Sequence, residues 1–369
     1  MGWWEKSGRL NSFSPKRIGV GMDKLKIALY WSASCGGCDV AVLDINEKIL
    51  DVAEIADIVL WPVAMDFKYH HIEAMPDKSI DVCFFNGAVR NSEQEHIAKL
   101  LRAKSKIMVA FGTCACFGGI PALDNLTNRD EIFKRAYVES PSNDNVGRVL
   151  PQTETKVEEG ELRLPEFFDT VLALNHVVDV EYFVPGCPPP TDLIVKFIDA
   201  LANNELPSLG VIFAGEKVLC DECERNRENK PTQAQLRRAD FIINTLMHRN
   251  ADKELIKAQR PHEVIANPER CFLEQGILCL GPVTRGGCGQ LCIKANMPCR
   301  GCFGPAAGIF EQDAAAYISD AKDNTENIDK IKEIIIDPVG TYYRFGMSGS
   351  TLLETDHKKN YPLPSVRKK

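Results

Sequence analysis

The chain has 369 residues, room for two domains of ordinary size, and its 44% apolar and 26% charged residues read as soluble and globular. A formal charge of −7 gives no basic field and argues against nucleic acid as a partner. No run of about 18 apolar residues is present, so no membrane span is expected, and the N-terminus lacks the apolar core and twin arginine of an export signal.

Met22 could serve as an alternative start, which would make the residues before it a dispensable extension. From there the first half alternates strand-like apolar runs with helical patterns, as a parallel α/β sheet requires. Leu25–Trp31 reads as the first strand, and Asp39–Ala56 carries apolar residues at helical spacing. Asp57–Val63 reads as the second strand and Ile80–Phe85 as the third. The segment Asn91–Lys104 reads as a crossover helix with Asn91 or Ser92 at its N-cap. Ile107–Phe111 and Asp179–Val184 are the fourth and fifth strands, and Asp192–Ala202 a further helix.

The remaining segments are less regular. Pro121–Pro165 is polar, rich in Asn, Glu and Pro, and reads as an insertion with short elements. Gly210–Leu219 joins the halves, Thr232–His248 looks helical, and Asn267–Pro305 reads as loops whose order depends on metal centres. The tail from Asp323 is charged, with Tyr342, Tyr343 and Phe345 forming an aromatic patch suited to a partner. The expected division is an extension over 1–23, an α/β domain over 24–209, a cysteine-rich domain over 210–322 and a tail over 323–369.

Cysteine placement is the most informative pattern, because 12 of the 14 cysteines fall into three sets of four. The first set is Cys35, Cys38, Cys114 and Cys187, all just past the carboxyl ends of predicted strands, where an open α/β sheet places its ligand. The others are Cys220, Cys223, Cys271 and Cys279, then Cys288, Cys292, Cys299 and Cys302. Four thiolates per centre is the ligand count of a [4Fe–4S] cluster or of structural zinc. Glycines around the third set and the convergence of the first on one sheet edge favour iron–sulfur. The C-x₂-C hooks Cys220–Cys223 and Cys299–Cys302 keep zinc as the alternative. Three such centres in one chain suggest a path for electrons, and a reducing cytoplasm would keep the thiols available to metal.

Other candidates have plainer readings. Cys83 inside an apolar strand reads as a small buried hydrophobe, and Cys116 as a packed thiol near the first centre, with tuning of that centre as its alternative. The histidines lack partners at ligand spacing and take surface or packing roles. Asp44, Glu47, Asp51 and Glu54 form a solvated helix face. Asn86 is either a turn residue or a contact to the first centre or to an interface. No phosphate-binding glycine loop and no nucleophile elbow is present, so neither nucleotide nor hydrolase chemistry is expected, and no catalytic residue is assigned.

From about Lys24 to Pro305 these residues resemble the small subunit of a [NiFe] hydrogenase, most closely the cytosolic methyl-viologen-reducing type that feeds heterodisulfide reductase. The resemblance rests on C-x₂-C after the first strand, GTC-x₃-GG and PGCPP, which place the family's proximal cluster on Cys35, Cys38, Cys114 and Cys187. It implies a flavodoxin-like domain and an iron–sulfur domain holding medial and distal clusters. Relatives usually begin the distal set with histidine; Cys220 stands there, giving an all-cysteine centre with Cys223, Cys271 and Cys279. Many relatives have a three-cysteine medial set, whereas Cys292 supplies a candidate fourth beside Cys288, Cys299 and Cys302. Three [4Fe–4S] clusters are thereby implied, with no nucleotide and with nickel only in a partner large subunit. Electrons from H₂ would enter at the proximal centre and leave from the distal one to a flavin or iron–sulfur acceptor of heterodisulfide reductase type, within a multi-subunit cytoplasmic complex. Gly37 and Gly119 stand where oxygen-tolerant relatives carry extra cysteines, which implies ordinary oxygen sensitivity, and Asn86 stands where many have glutamate. Two alternatives remain: a relay whose partner has lost its nickel site, and a zinc-stabilised scaffold without redox function. The 20-kDa subunit of respiratory complex I shares GTC and GCPP but has an adjacent cysteine pair and lacks the second cysteine-rich domain, so it fits less well.

Overall fold

The computed structural model describes residues 24–225, 262–307 and 337–349, in two compact units that divide between residues 212 and 213, with Met347–Gly349 joining the first. Segment 1–23 and the expected helix Thr232–His248 lie outside the described residues.

The first unit follows the strand–helix alternation of its sequence. Its elements run β1 (Leu25–Trp31), α1 (Gly37–Leu43), α2 (Lys48–Ile55), β2 (Ala56–Leu60), α3 (Tyr69–Glu73), β3 (Ile80–Asn86), β4 (Val89–Asn91), α4 (Ser92–Lys104) and β5 (Ser105–Phe111). Then come α5 (Thr113–Phe117), α6 (Arg129–Phe133), β6 (Glu154–Val157), β7 (Gly160–Arg163), β8 (Phe167–Leu172), β9 (Tyr182–Val184), α7 (Thr191–Ala202) and β10 (Val211–Ile212). Six parallel strands form the main sheet in the order β2-β1-β3-β5-β9-β10. This is the flavodoxin-like doubly wound order with one strand added at the β9 edge.

Both faces are covered. On one, Cys83 and Phe85 pack with Ile97, Ala98 and Leu101 of α4. On the other, Phe84 meets Phe111 and Phe197 of α7 edge-on at 5.5 and 5.6 Å. Each fully buried side chain of this size stabilises the unit by about 1.5–3 kcal/mol. The N-cap of α4 is Asn91, whose Oδ1 accepts the Gln94 N–H at 2.9 Å.

Three local features depart from the expected pattern. The helical run after Cys38 is two helices, because Asn46 adopts φ 56 and its side chain donates to the Asp44 carbonyl, which ends the first. The second strand stops at Leu60, where Trp61 leads into a turn with Pro62, whose nitrogen has no hydrogen to donate to a ladder. The insertion after Pro121 contains the exposed antiparallel hairpin β6–β7, and β4 pairs antiparallel with β8.

His176, in the turn after β8, has Nδ1 3.4 Å from Ser348 Oγ, and burial lowers its pKa below 6.5. A depressed folded value means the unfolded chain binds the proton more tightly. Stability is therefore complete above about 6.5 and falls as pH drops through the folded value. We expect His176→Gln to flatten that slope, read as urea midpoints at pH 7.5 and pH 5; an unchanged slope would contradict it.

In the second unit regular structure is sparse. A 3₁₀ turn at Leu273–Gln275 and single helical turns at Leu219–Glu222 and Leu291–Lys294 punctuate irregular backbone. Tyr342, Tyr343 and Phe345 are buried, which corrects the expectation that they form a free patch for a partner.

Candidate metal centres

The four central strands end in one row. Trp31 pairs with Asn86, Asn86 with Phe111, and Phe111 with Val184. Cys35 and Cys38 follow β1, Cys114 lies in α5 directly after β5, and Cys187 follows β9 in the same row. The loops are tied to one another: Gly112 N–H donates to the Val184 carbonyl at 2.8 Å and Thr113 N–H to the Gly186 carbonyl at 2.9 Å. Thr113 Oγ1 in turn accepts the Gly186 N–H at 3.1 Å.

Cys38 and Cys114 respond to the other thiols of the set. Burial first, then Cys114, Cys187 and Cys35, push Cys38 far above the ordinary thiol range. Burial followed by Cys187 and Cys35 pushes Cys114 up to about 12. Four thiolates can share this edge only with compensating cations, which is the electrostatic requirement of a soft-metal centre. Backbone clearance fits the same use: a Cβ on Gly112 would lie 2.3 Å from Cys38 Sγ.

A buried polar brace holds the C-x₂-C loop. Asp39 is 4% exposed; its Oδ1 accepts the Trp61 indole N–H at 2.8 Å, and its Oδ2 accepts from Asn86 Nδ2. Asn86 Oδ1 accepts the Ser34 hydroxyl at 2.7 Å. Asn86 therefore links the residue before Cys35 to the residue after Cys38. Burial raises the Asp39 pKa against the pull of both donors. Sequence reasoning singled out Asn86 but not Asp39, whose acidic type resembles the solvated Asp44 and Glu47 beyond it.

The second set also converges. Cys220, Cys223, Cys271 and Cys279 line one cavity, partly open to solvent, with Leu219, Phe272 and Ile293 among its apolar walls. Burial pushes Cys279 up to about 11, with Cys271 and Cys223 adding to the rise. Among the described residues no three His, Cys, Asp or Glu side chains stand close enough to chelate one metal ion as they are placed, in this set or the others.

The third set appears as two interacting pairs: Cys288 senses Cys292, and Cys299 senses Cys302. The partly buried Arg300 interacts with Cys279, Cys299 and Cys292, thereby spanning both C-terminal sets. The sets also touch directly, since Cys299 N–H donates to Cys279 Sγ at 3.3 Å. Gln290, at φ 59, donates to the Glu222 carbonyl and accepts from Glu224 N–H at 3.0 Å. It pins the Cys288 loop to the segment carrying Cys220 and Cys223. Nothing in the spacing of Arg300 or Gln290 marks them in the sequence.

Outside the sets, Cys83 is fully buried in the β3 core and burial pushes its thiol up to about 12. Cys116 donates its Sγ–H to the Ala110 carbonyl at 3.2 Å and packs in the same core. Burial, then Cys38 and Cys114, raise the Cys116 thiol, so it lies beside the first set as well as in the core.

Residues 35–201 match the family described as NADH ubiquinone oxidoreductase, 20 Kd subunit, a range that holds β2, β3, β5 and β9 of the main sheet and the first four cysteines. The chain is 44% identical over 283 residues to an iron–sulfur subunit of the F420-non-reducing hydrogenase of Archaeoglobus profundus, spanning 76% of this chain and 82% of that one. It is 34% identical over 336 residues to a subunit of the F420-non-reducing hydrogenase of Methanothermobacter thermautotrophicus, spanning 89% and 96%. Similarity to the delta subunit of the NAD-reducing hydrogenase HoxS of Cupriavidus necator is 28% over 188 residues, spanning 50% and 83%. Cysteine sets on a flavodoxin-like edge and in a cysteine-rich second unit, together with these relatives, place the chain in the iron–sulfur small-subunit family of [NiFe] hydrogenases, on the branch of the F420-non-reducing enzymes, as the electron-transfer part of an oxidoreductase complex.

Proposed function

We propose that the chain carries electrons between a [NiFe] large subunit and a flavin or iron–sulfur acceptor of heterodisulfide reductase type through three [4Fe–4S] centres. Cys35, Cys38, Cys114 and Cys187 hold the proximal centre in the flavodoxin-like domain. Cys288, Cys292, Cys299 and Cys302 hold the medial one, and Cys220, Cys223, Cys271 and Cys279 the distal one, in the iron–sulfur domain. The observation that carries the reading is the convergence of four thiols from three strand ends on one row of the sheet.

When bound, the clusters supply one-electron storage at potentials set by ligand type, burial and hydrogen bonds to sulfur. The residues do the rest. The Asp39–Asn86–Ser34 brace holds the proximal loop in shape. Apolar walls lower the dielectric around Cys279. The Cys299-to-Cys279 hydrogen bond shortens the path between medial and distal ligands. No described helix is long and apolar enough to cross a membrane, which accords with a cytoplasmic complex.

The test is the metal content of the complex that co-purifies anaerobically with the tagged chain. Nickel stoichiometric with the chain and about 12 iron atoms, three four-iron clusters, is the expected result. Iron without nickel would move the relay into a related enzyme, and zinc in place of iron would remove the electron-transfer reading.

A further inference from the structure

Arg225 sits where the distal thiols converge. It lines the same cavity as Cys220, Cys223, Cys271 and Cys279, and it is only 6% exposed. Its Nη1 donates to the carbonyls of Asn267 at 2.7 Å and Arg270 at 3.0 Å. Its Nη2 donates to the Ile293 carbonyl at 3.3 Å and to Asn296 Oδ1 at 2.6 Å. The guanidinium carbon stacks 3.8 Å from the centroid of Phe272.

Two things are left over in this arrangement. None of the four oxygens carries a formal charge, so a buried cation stands without an anion among these contacts. Its Nε–H, also buried, has no hydrogen-bond partner among the described residues. A buried charge and a buried donor are both costly unless something of opposite character completes them. The group that belongs in this cavity has that character: a [4Fe–4S] core with four thiolates is anionic in both redox states, and its sulfurs accept hydrogen bonds.

We propose that Arg225 is a tuning residue of the distal centre, supplying its counter-charge and, through Nε–H, a hydrogen bond to one of its sulfurs. This inference rests on the assignment of that centre to Cys220, Cys223, Cys271 and Cys279. The electron that the distal centre gains is one that the medial centre loses, so the net change is one added negative charge beside the guanidinium. A fixed cation favours the more negative state, and the apolar walls strengthen the effect. The distal centre is thereby held at a higher potential than its ligands alone would give, which draws electrons outward to the exit.

The test is a dithionite redox titration of the anaerobic holo-complex, followed by electron paramagnetic resonance, with iron counted in parallel. Arg225→Met keeps length and removes both charge and donor. It should weaken reduction of one centre at least tenfold, about 59 mV for one electron, and leave the other two unmoved. Arg225→Lys keeps the charge and lacks the Nε–H, so it should recover part of the shift and change the spectrum of that centre. Should Arg225→Met fail to assemble, Arg225→Lys decides alone: wild-type midpoint and spectrum would overturn the inference. A full iron count with all midpoints unchanged in Arg225→Met would overturn it equally. Parent complex lacking a third centre's iron would instead refute the cysteine assignment.

Discussion

Replacing Cys187 with alanine is expected to strip the proximal centre of iron while the two C-terminal centres stay loaded. Cys187 is the one cysteine that the β9 loop brings to the row, and Cys38 and Cys114 both respond to it electrostatically. Iron per complex should fall by about a third, four atoms of roughly 12. Dithionite should still reduce the remaining centres, whereas H₂-driven reduction of an artificial acceptor should drop more than about 100-fold, beyond the cost of losing an outer-shell partner. Intact H₂-driven turnover would sink the proximal assignment. Cys83→Ala is the matched control: a fully buried thiol in the β3 core whose loss removes packing alone. It should cost about 1–2 kcal/mol in denaturant midpoints and leave iron unchanged.

The second large effect is expected from a single methyl group at Gly112. This residue has φ 84 and ψ 161, a region that is essentially reserved for glycine. A Cβ would stand 2.3 Å from Cys38 Sγ, well inside van der Waals contact, so the ligand or the β5–α5 turn must move. Backbone strain of about 1–3 kcal/mol adds to the displacement. Gly112→Ala should therefore lower the melting temperature and lose proximal iron together. Gly37→Ala, whose Cβ would meet only Cys35 Sγ at 3.4 Å, should do neither. Full iron in Gly112→Ala would show that the cradle tolerates a side chain. The same geometry separates the two glycines that the resemblance ties to oxygen sensitivity. Gly37 has room for a side chain, but Gly119, at φ 57, would place its Cβ 2.6 Å from Cys114 Sγ. A cysteine there requires α5 to shift first.

The resemblance to the 20-kDa subunit family and the match to hydrogenase subunits are complementary. The matched family stops at residue 201, within α7. The match to the Archaeoglobus profundus protein spans 76% of this chain, well beyond that point in length. The second cysteine-rich unit thus separates the hydrogenase reading from the respiratory one.

Sequence by itself determined the strands β1, β3, β5 and β9, because apolar runs bounded by glycine and polar turns have few other uses. It also placed the first four cysteines past strand ends, since a doubly wound sheet puts every such loop on one edge. Asn91 as a cap was legible as one of two neighbours, and the structure selects it through the Gln94 N–H. What the sequence left open is nonlocal. The strand β10 is two residues long and exists only because β9 offers an unpaired edge. Pairing of β4 with β8 joins segments some 80 positions apart, beyond any local periodicity. Asp39 reads as one more surface acid until Trp61 and Asn86 close over it. Arg225 reads as one charge among many until Phe272, four oxygens and four thiols surround it. Local pattern fixes which residues can form an element or ligate a metal. Burial and charge compensation depend on what the folded chain brings against them, and that only the tertiary structure decided.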